Sequence, residues 1–502
     1  MLDQSSQIHD DLATTLDGTH FDLVVIGAGI SGLNALYAAS HYLPKGAKAL
    51  LLDQKASAGG MWTIAYDYVR LHQPHPMFTV GDMKWKWRKP KDYLASRNEV
   101  QSHLETCLTA IAAKLHVTMG FGQTVASFHE IATPNGHLGE VTFHANGIAN
   151  SPGTVTADQI IHATGFNYQP PQPLEFSSQK VRSFTPDDLN PALADSPDAP
   201  VYVIGGGKTG MDTILELLRQ NAHRKVTLLA GKGTDFFNRT QWVPTGLRRW
   251  TRGQVLSRTF HTLAMRFDGD NEADLSHFFK STYATELGSG NQQFLYGLMS
   301  EDEQARVQSG LEAYVYDYLE DISDTAAGPV MHLRSGETCA IPEGSLIVNC
   351  TGNVLRGETP DANYPCLSKH GRVLSINVRD SMHFLTSVAG FFLPHMHYRG
   401  LLRDSGFYMI NQEELFQKNR TAWIGATSTQ AYLNQTLAVQ ALPLTLLDKC
   451  NLDFDRWYPL PRRMAALLKM KTGAARELPH CRKALDRVAK RFNVHCTALT
   501  AE

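Results

Sequence analysis

No two cysteines in this chain lie close enough in sequence to act as a redox bridge. The seven, Cys107, Cys339, Cys350, Cys366, Cys450, Cys481 and Cys496, are scattered over 502 residues. An odd count without a framework suits free thiols in a reducing compartment. It also excludes a disulfide reductase, whose chemistry needs a paired dithiol. Long apolar runs are missing as well, and none approaches the roughly 20 residues of a membrane span. The first twenty residues are polar and acidic, so no signal peptide is expected. Nor does one sign of charge dominate: 47 Lys and Arg stand against 49 Asp and Glu, a net charge of −2. That balance points to neither nucleic acid nor an anionic membrane. Together these absences predict a cytoplasmic protein with no nucleic-acid partner and no membrane span. One local exception is basic: ten Lys and Arg between Arg462 and Arg491 face only Glu477 and Asp486. A solvated helical face is the first reading, and a docking surface for an acidic partner is the alternative.

What is present is glycine in a particular order. Phe21-Asp22-Leu23-Val24-Val25-Ile26 reads as a strand buried on both faces. It runs into Gly27-Ala28-Gly29-Ile30-Ser31-Gly32 and then a helical stretch. Gly27 permits a tight turn, Gly29 lets a pyrophosphate approach the backbone, and Gly32 allows close helix–strand packing. The helix start then offers its unpaired N–H groups to phosphate. A second apolar run, Ala49-Leu50-Leu51-Leu52, ends in Asp53, placed for ribose hydroxyls. Val201-Tyr202-Val203-Ile204 leads into a second fingerprint, Gly205-Gly206-Gly207-Lys208-Thr209-Gly210, again before a helix. Two such units describe a protein that holds two dinucleotides at once.

Gly59-Gly60-Met61-Trp62 follows the first unit. The order of strand, GxGxxG, acid-ended strand and GGxW resembles flavin-containing monooxygenases, Baeyer–Villiger monooxygenases and the plant auxin-forming flavin monooxygenases. The resemblance spans roughly residues 20–400. It implies that FAD occupies the first site, with Gly60 passing close to the flavin and Trp62 packing nearby. It implies NADPH at the second site, held by Gly205, Gly207, Lys208, Thr209 and Gly210. The strand Val226-Thr227-Leu228-Leu229 runs into Ala230-Gly231-Lys232 with no acid where an NAD ribose would want one. Lys232 is therefore the candidate for a 2′-phosphate, with Arg239 or Arg224 assisting; its other reading is a solvent-facing loop lysine.

At 502 residues one core is too few, and two or three domains are expected. The predicted class is α/β, with two Rossmann-like, doubly wound dinucleotide-binding domains. Matched strands ending in Thr164-Gly165 and Thr351-Gly352 mark crossovers between them. The FAD domain is expected at 15–195 and 340–420. The NAD(P)H domain at 198–335 is inserted in it and carries a helical insertion at about 235–325, including Leu275 to Tyr283 and Glu301 to Ile322. Residues 170–200 read as a Pro- and Asp-rich linker, and 440–502 as a helical C-terminal segment. The aromatic and histidine-rich stretch Phe391 to Gly400 is placed to approach the flavin.

The implied chemistry needs few acid–base residues: NADPH reduces FAD, O2 forms a C4a-(hydro)peroxyflavin, and one oxygen passes to a small-molecule substrate. After GGxW, the loop Arg70-Leu71-His72-Gln73-Pro74-His75-Pro76 is closest to the Leu-His-x-Pro of the plant enzymes. Gln73 or His72 is the candidate to hydrogen-bond the oxygen adduct; otherwise the loop only shapes the cavity floor. His72, His75, His395 and His397 lack compact ligand spacing, so no metal is expected. The FxGxxxH motif of the monooxygenases is replaced by Val181-Arg182-Ser183-Phe184-Thr185-Pro186-Asp187-Asp188-Leu189, which weakens the Baeyer–Villiger assignment. Two other readings stand beside the monooxygenase: a reductase with another electron acceptor, and a flavin-binding sensor without catalysis. A homodimer is what the resemblance suggests.

Overall fold

Leu23, Val24 and Val25 are wholly buried although they alternate sides of one strand, so both faces of their sheet must be covered. The computed structural model describes residues 12–149, 151–165, 170–285, 287–352, 365–376, 382–383, 385–496 and 499–500. Parts of the expected 340–420 segment and the first eleven residues lie outside them. The first sheet contains β1 (His20–Ile26), β2 (Lys48–Asp53), β3 (His116–Phe121), β4 (Gln123–Thr133), β5 (Gly136–Ala145) and β6 (Gly153–His162). Its order is β3-β2-β1-β6-β5-β4, and the late strand Val373–Ser375 lies beside β6. Strands β3, β2, β1 and β6 are parallel, with Ile26 level with Leu52 and His162. The β4–β5 hairpin continues the sheet antiparallel.

The second sheet is parallel throughout. It contains β7 (Arg182–Phe184), β8 (Val201–Ile204), β9 (Val226–Leu229), β10 (Ala313–Val315) and β11 (Leu346–Asn349), in the order β10-β9-β8-β11-β7. Each sheet contains the same unit: strand, glycine turn, helix. The helices are α1 (Ile30–Ala39) after β1 and α3 (Lys208–Gln220) after β8; α2 (Arg97–Ala112) lies between them in sequence. A capping box starts α2, with the Ser96 N–H donating to Glu99 at 2.8 Å.

Two expectations fail in detail. The segment 170–200 is more than a linker, because β7 within it pairs with β11 and supplies the edge of the second sheet. The region 235–325 is not a purely helical insertion. It carries α4 (Leu256–Arg266), α5 (Glu272–Tyr283) and α6 (Glu301–Gly310), but also strands at Thr234–Asn238 and Gln293–Met299. The helix expected to run to Ile322 stops at Gly310. Beyond it Tyr314 and Val315 join the second sheet as β10, and Leu319–Thr325 pairs with Gly328–Leu333. Sheet pairing there overrides an acidic pattern that suits a helix equally well.

The C-terminal region packs against this frame through α7 (Thr386–Tyr398), α8 (Arg420–Ala441) and α9 (Leu460–Phe492). Gly390 lets α7 lie on α1, since a Cβ there would come 2.5 Å from the Ser31 carbonyl oxygen. Helix α8 is buried along most of its length, and several of its polar side chains reach neighbouring segments. Asn434 donates to the carbonyls of Met382 and Tyr408 at 2.8 Å each, and Tyr432 donates to Glu477 of α9 at 2.6 Å. The basic face of α9 is not merely solvated. Arg462 donates to the carbonyls of Arg249, Arg252 and Gly253, and Arg491 pairs with Glu272 and Asp270.

Asp455, in the turn before α9, accepts from the backbone N–H and the hydroxyl of Ser257 at the start of α4. Burial, with Asp453 adding to it, pushes the Asp455 carboxyl up to about 7. An unfolded-chain aspartate titrates near ~3.9. Between these values the folded protein keeps a proton that the unfolded chain releases, so stability falls as pH rises from about 4 to 7. Asp455→Asn removes this term. Relative to the parent protein in matched buffers, its thermal midpoint should fall less between about pH 4 and 7; parallel pH curves would contradict the assignment.

Candidate cofactor-binding and active site

The two glycine turns have the same geometry. Gly27 has φ 106° and Gly205 φ 114°, a region closed to most side chains. A Cβ on Gly32 would collide with the Gly27 carbonyl, and one on Gly210 with the Gly205 carbonyl. Gly29 and Gly207 cap their helices with extended backbone (φ −78°, ψ −177° and φ −80°, ψ −176°), and no side chain caps either start. The first-turn N–H groups therefore face outward from both turns, ready for an anion. The crossover segments complete the match. A Cβ on Gly27 would meet the Ala163 carbonyl at 2.5 Å, and one on Gly205 the Cys350 carbonyl at 3.0 Å.

Asp53 stands at the end of β2 and fixes the first turn, accepting from the N–H groups of Ala28 at 2.6 Å and Lys55 at 2.8 Å. Burial raises its pKa while these two donors oppose the rise. Carboxylate oxygens accept more than one donor, so a ribose hydroxyl can still be served. The double glycine lies on the same turn: Gly59 N–H donates to the Ala28 carbonyl at 3.0 Å, and a Cβ on Gly60 would sit 2.9 Å from the Gly29 Cα. Trp62 is buried edge-on to Phe78, ring centres 5.7 Å apart, and its carbonyl accepts from Arg97.

The loop beyond Trp62 spans the gap to the second sheet. Tyr66 donates to Asp212 of α3 at 2.9 Å, and the Tyr68 and Thr213 hydroxyls meet at 2.8 Å. Lys208, at the start of α3, pairs with the same Asp212. Arg239 donates to the His72 carbonyl at 3.2 Å and pairs with Glu303 at 2.8 Å. Burial, then the Lys208 and Arg239 cations, hold the His72 imidazole well below its ordinary pKa. His72 is therefore neutral at pH 7, and Gln73 is half-buried beside it in the same loop.

The structure thus brings His72 and Lys208 together with Arg239, and stations Thr209 and Gly210 on the first turn of α3. Lys232 is exposed on the turn after β9. Arg224 is buried and donates to the Ala199 carbonyl, and Arg239 is held by Glu303, so neither assists Lys232. Three of the four histidines have ring partners of their own: His75 the Tyr93 carbonyl, His395 Tyr42 and His397 Gln159. The Ser31 and Thr386 hydroxyls meet at 3.0 Å, joining the starts of α1 and α7 across 355 positions. Tyr66, Asp212, Glu303 and Thr386 carry no local signal, and only the folded chain places them at the site.

The model of the pyridine nucleotide-disulphide oxidoreductase family matches residues 21–235. Relatives of that span include an FAD-containing monooxygenase, EthA, of Mycolicibacterium smegmatis. It is 25% identical over 223 residues, covering 42% of this chain and 41% of that protein. Over this span the chain is similar to proteins named as FAD-containing monooxygenases. The probable indole-3-pyruvate monooxygenase YUCCA4 of Arabidopsis thaliana is 26% identical over 209 residues, covering 40% of this chain and 44% of its own. An uncharacterised protein of Mycobacterium tuberculosis is 28% identical over 212 residues, 40% of this chain and 36% of that one. The chain therefore spans about two-fifths of the curated relatives it matches. Among solved structures, a flavin-containing monooxygenase from Stenotrophomonas maltophilia is similar at a TM-score of 0.44 and 17% identity, covering 76% of this chain and 98% of that one. All seven cysteines of this chain are free thiols, five of them buried. Among the described residues no helix is long and apolar enough to cross a membrane.

The ion pair under the loop is mostly enclosed, with Lys208 and Asp212 side chains 15% and 12% exposed. Asp212→Asn leaves Tyr66 its acceptor but strands the Lys208 charge. The variant should lose about 2–4 kcal/mol of stability by urea denaturation. A loss within ±0.5 kcal/mol, as for an ordinary surface change, would show that the pair does not tie the loop to α3.

Proposed function

We propose that this chain is an FAD-dependent, NADPH-consuming monooxygenase that places one oxygen atom of O2 in a small organic molecule. The observation that carries this reading is the His72 loop, which is pinned at one end to the first glycine turn and at the other to the second. The cradles suit the two cofactors, since a Cβ would fill either turn. Gly27, Gly29, Gly32, Asp53, Gly60 and Trp62 would hold FAD. Gly205, Gly207, Lys208, Thr209, Gly210 and Lys232 would hold NADPH. Bound together, they supply hydride transfer and the electrons that activate O2.

The chain's own groups do the rest. His72 is neutral, so its ring N–H donates a hydrogen bond without delivering a full proton to the reacting oxygen. The Gln73 amide is a second donor of the same strength. Lys208 and Arg239 keep the loop electropositive without charging the imidazole, and Pro74 with Leu71, both buried, exclude water from one side. Support also comes from the relatives named as monooxygenases over the shared span. A dithiol-linked reductase is disfavoured by the cysteines, none of which is paired.

Rapid mixing tests the reading. NADPH should bleach the flavin under anaerobic conditions, and O2 should then produce a transient absorbing species before the oxidised spectrum returns. Immediate reoxidation with stoichiometric hydrogen peroxide, unchanged by His72→Ala or Gln73→Ala, would sink it. A separate steady-state experiment addresses the nicotinamide. Lys232→Ala should raise KM for NADPH by about tenfold, equivalent to one charge-assisted hydrogen bond, and leave NADH unchanged. An equal rise for both would remove Lys232 from the 2′-phosphate.

A further inference from the structure

Away from the glycine turns, the C-terminal helices enclose a cavity of about 340 Å3. Its walls are mostly apolar: Leu385 just before α7, Val388 and Phe392 from α7, Val439 from α8, Leu467 and Met470 from α9. Its polar end is a cluster of Asp453, Asp455 and Ser257, in which the Ser257 hydroxyl donates to the Asp455 carboxyl and the Asp455 N–H to that of Asp453. Its exposed lining includes an apolar rim of Leu444, Leu460 and Met464, which are 45%, 59% and 42% exposed although large and apolar. Protein interiors seldom leave open space of this size, and a mostly apolar pocket with a few convergent polar groups is the form a small-molecule site takes.

The polar end selects the ligand's charge. Asp448 is paired with Arg463 at 2.9 Å and Arg456 at 3.5 Å, and both arginines act on Asp453. Burial favours the protonated form of Asp455. Two cations therefore already face Asp448 and Asp453, and neither a cationic nor an anionic ligand is needed to balance them. A hydroxyl fits, because it donates to a carboxylate and accepts from a protonated one.

We propose that this cavity binds a neutral lipophilic alcohol, its hydroxyl at Asp453 and Asp455 and its apolar body between α7, α8 and α9. The ligand enters through the apolar rim. The site is built from the C-terminal helices and the start of α4 and does not depend on the flavin reading. It is nonetheless close to the first glycine turn, because α7 lines the cavity with Val388 while its Thr386 touches Ser31.

The test uses the full, FAD-saturated chain and the neutral fluorophore N-phenyl-1-naphthylamine. Its emission should rise saturably and be displaced by 1-decanol, but not comparably by decanoate or decylammonium. Leu467→Trp, which fills the cavity, and Met464→Glu, which charges its rim, should each weaken decanol binding about tenfold or more. Met464 is at the surface, so Met464→Glu keeps the fold even if the filled variant does not. Undiminished decanol binding in Met464→Glu would overturn the site. Displacement by decanoate or decylammonium as strong as by decanol would overturn the ligand class.

Discussion

Everything at the site follows from the contact between the Gly32 backbone and the Gly27 carbonyl. There is no room for a methyl group between them, so the first turn of α1 is seated directly on the end of β1. A helix held that close to its strand cannot tilt, and its open N–H groups point in one fixed direction. The same contact recurs between Gly210 and Gly205. Two fixed donor arrays result, each built from backbone and therefore indifferent to rotamers. The crossover segments at Ala163 and Cys350 close against Gly27 and Gly205, so each is seated on the glycine turn of its own sheet.

The same contact explains which parts of the fold are legible in the sequence. Glycine spacing reports a backbone constraint within six residues, and strand, turn and helix are local to it. Both fingerprints and Asp53 at the end of β2 can therefore be placed from the amino-acid order alone, whereas Gly60 is placed only through the family resemblance. The stretch after Gly310 cannot. An acidic amphipathic run suits a helix or an edge strand equally, and what decides is the unpaired edge of β9, some eighty residues earlier in the chain. The role of β7 within a Pro-rich stretch is hidden for the same reason: three residues become a strand only because β11 lies beside them.

The C-terminal region shows the opposite limit of sequence reading. By spacing alone Arg462 and Arg491 belong to a solvated face, since charge runs usually do. Their partners are backbone carbonyls near 250 and carboxylates near 270, which no spacing rule connects to 462 or 491. Likewise α8 carries Gln430, Asn434 and Thr436 on a fully buried face. Such residues argue against burial until the loops that answer them are in place. Asn434 alone takes its donors and acceptor to Met382 and Tyr408, so the helix holds two chain segments that have no strand or helix of their own there.

Charge placement at the domain junction makes sense of the one loop that touches both cradles. A histidine buried beside a carboxylate would become a permanent cation. His72 is instead buried beside Lys208 and Arg239, and burial and both cations act in the same direction. Asp212 and Glu303 compensate those cations on the far side, through Tyr66 and the start of α6, so neither positive charge is left unpaired in the interior. Reversing either acid's position would move negative charge toward the imidazole and protonate it. The arrangement therefore separates two demands that usually conflict: the loop is tied down by ion pairs, while the ring it presents carries no charge.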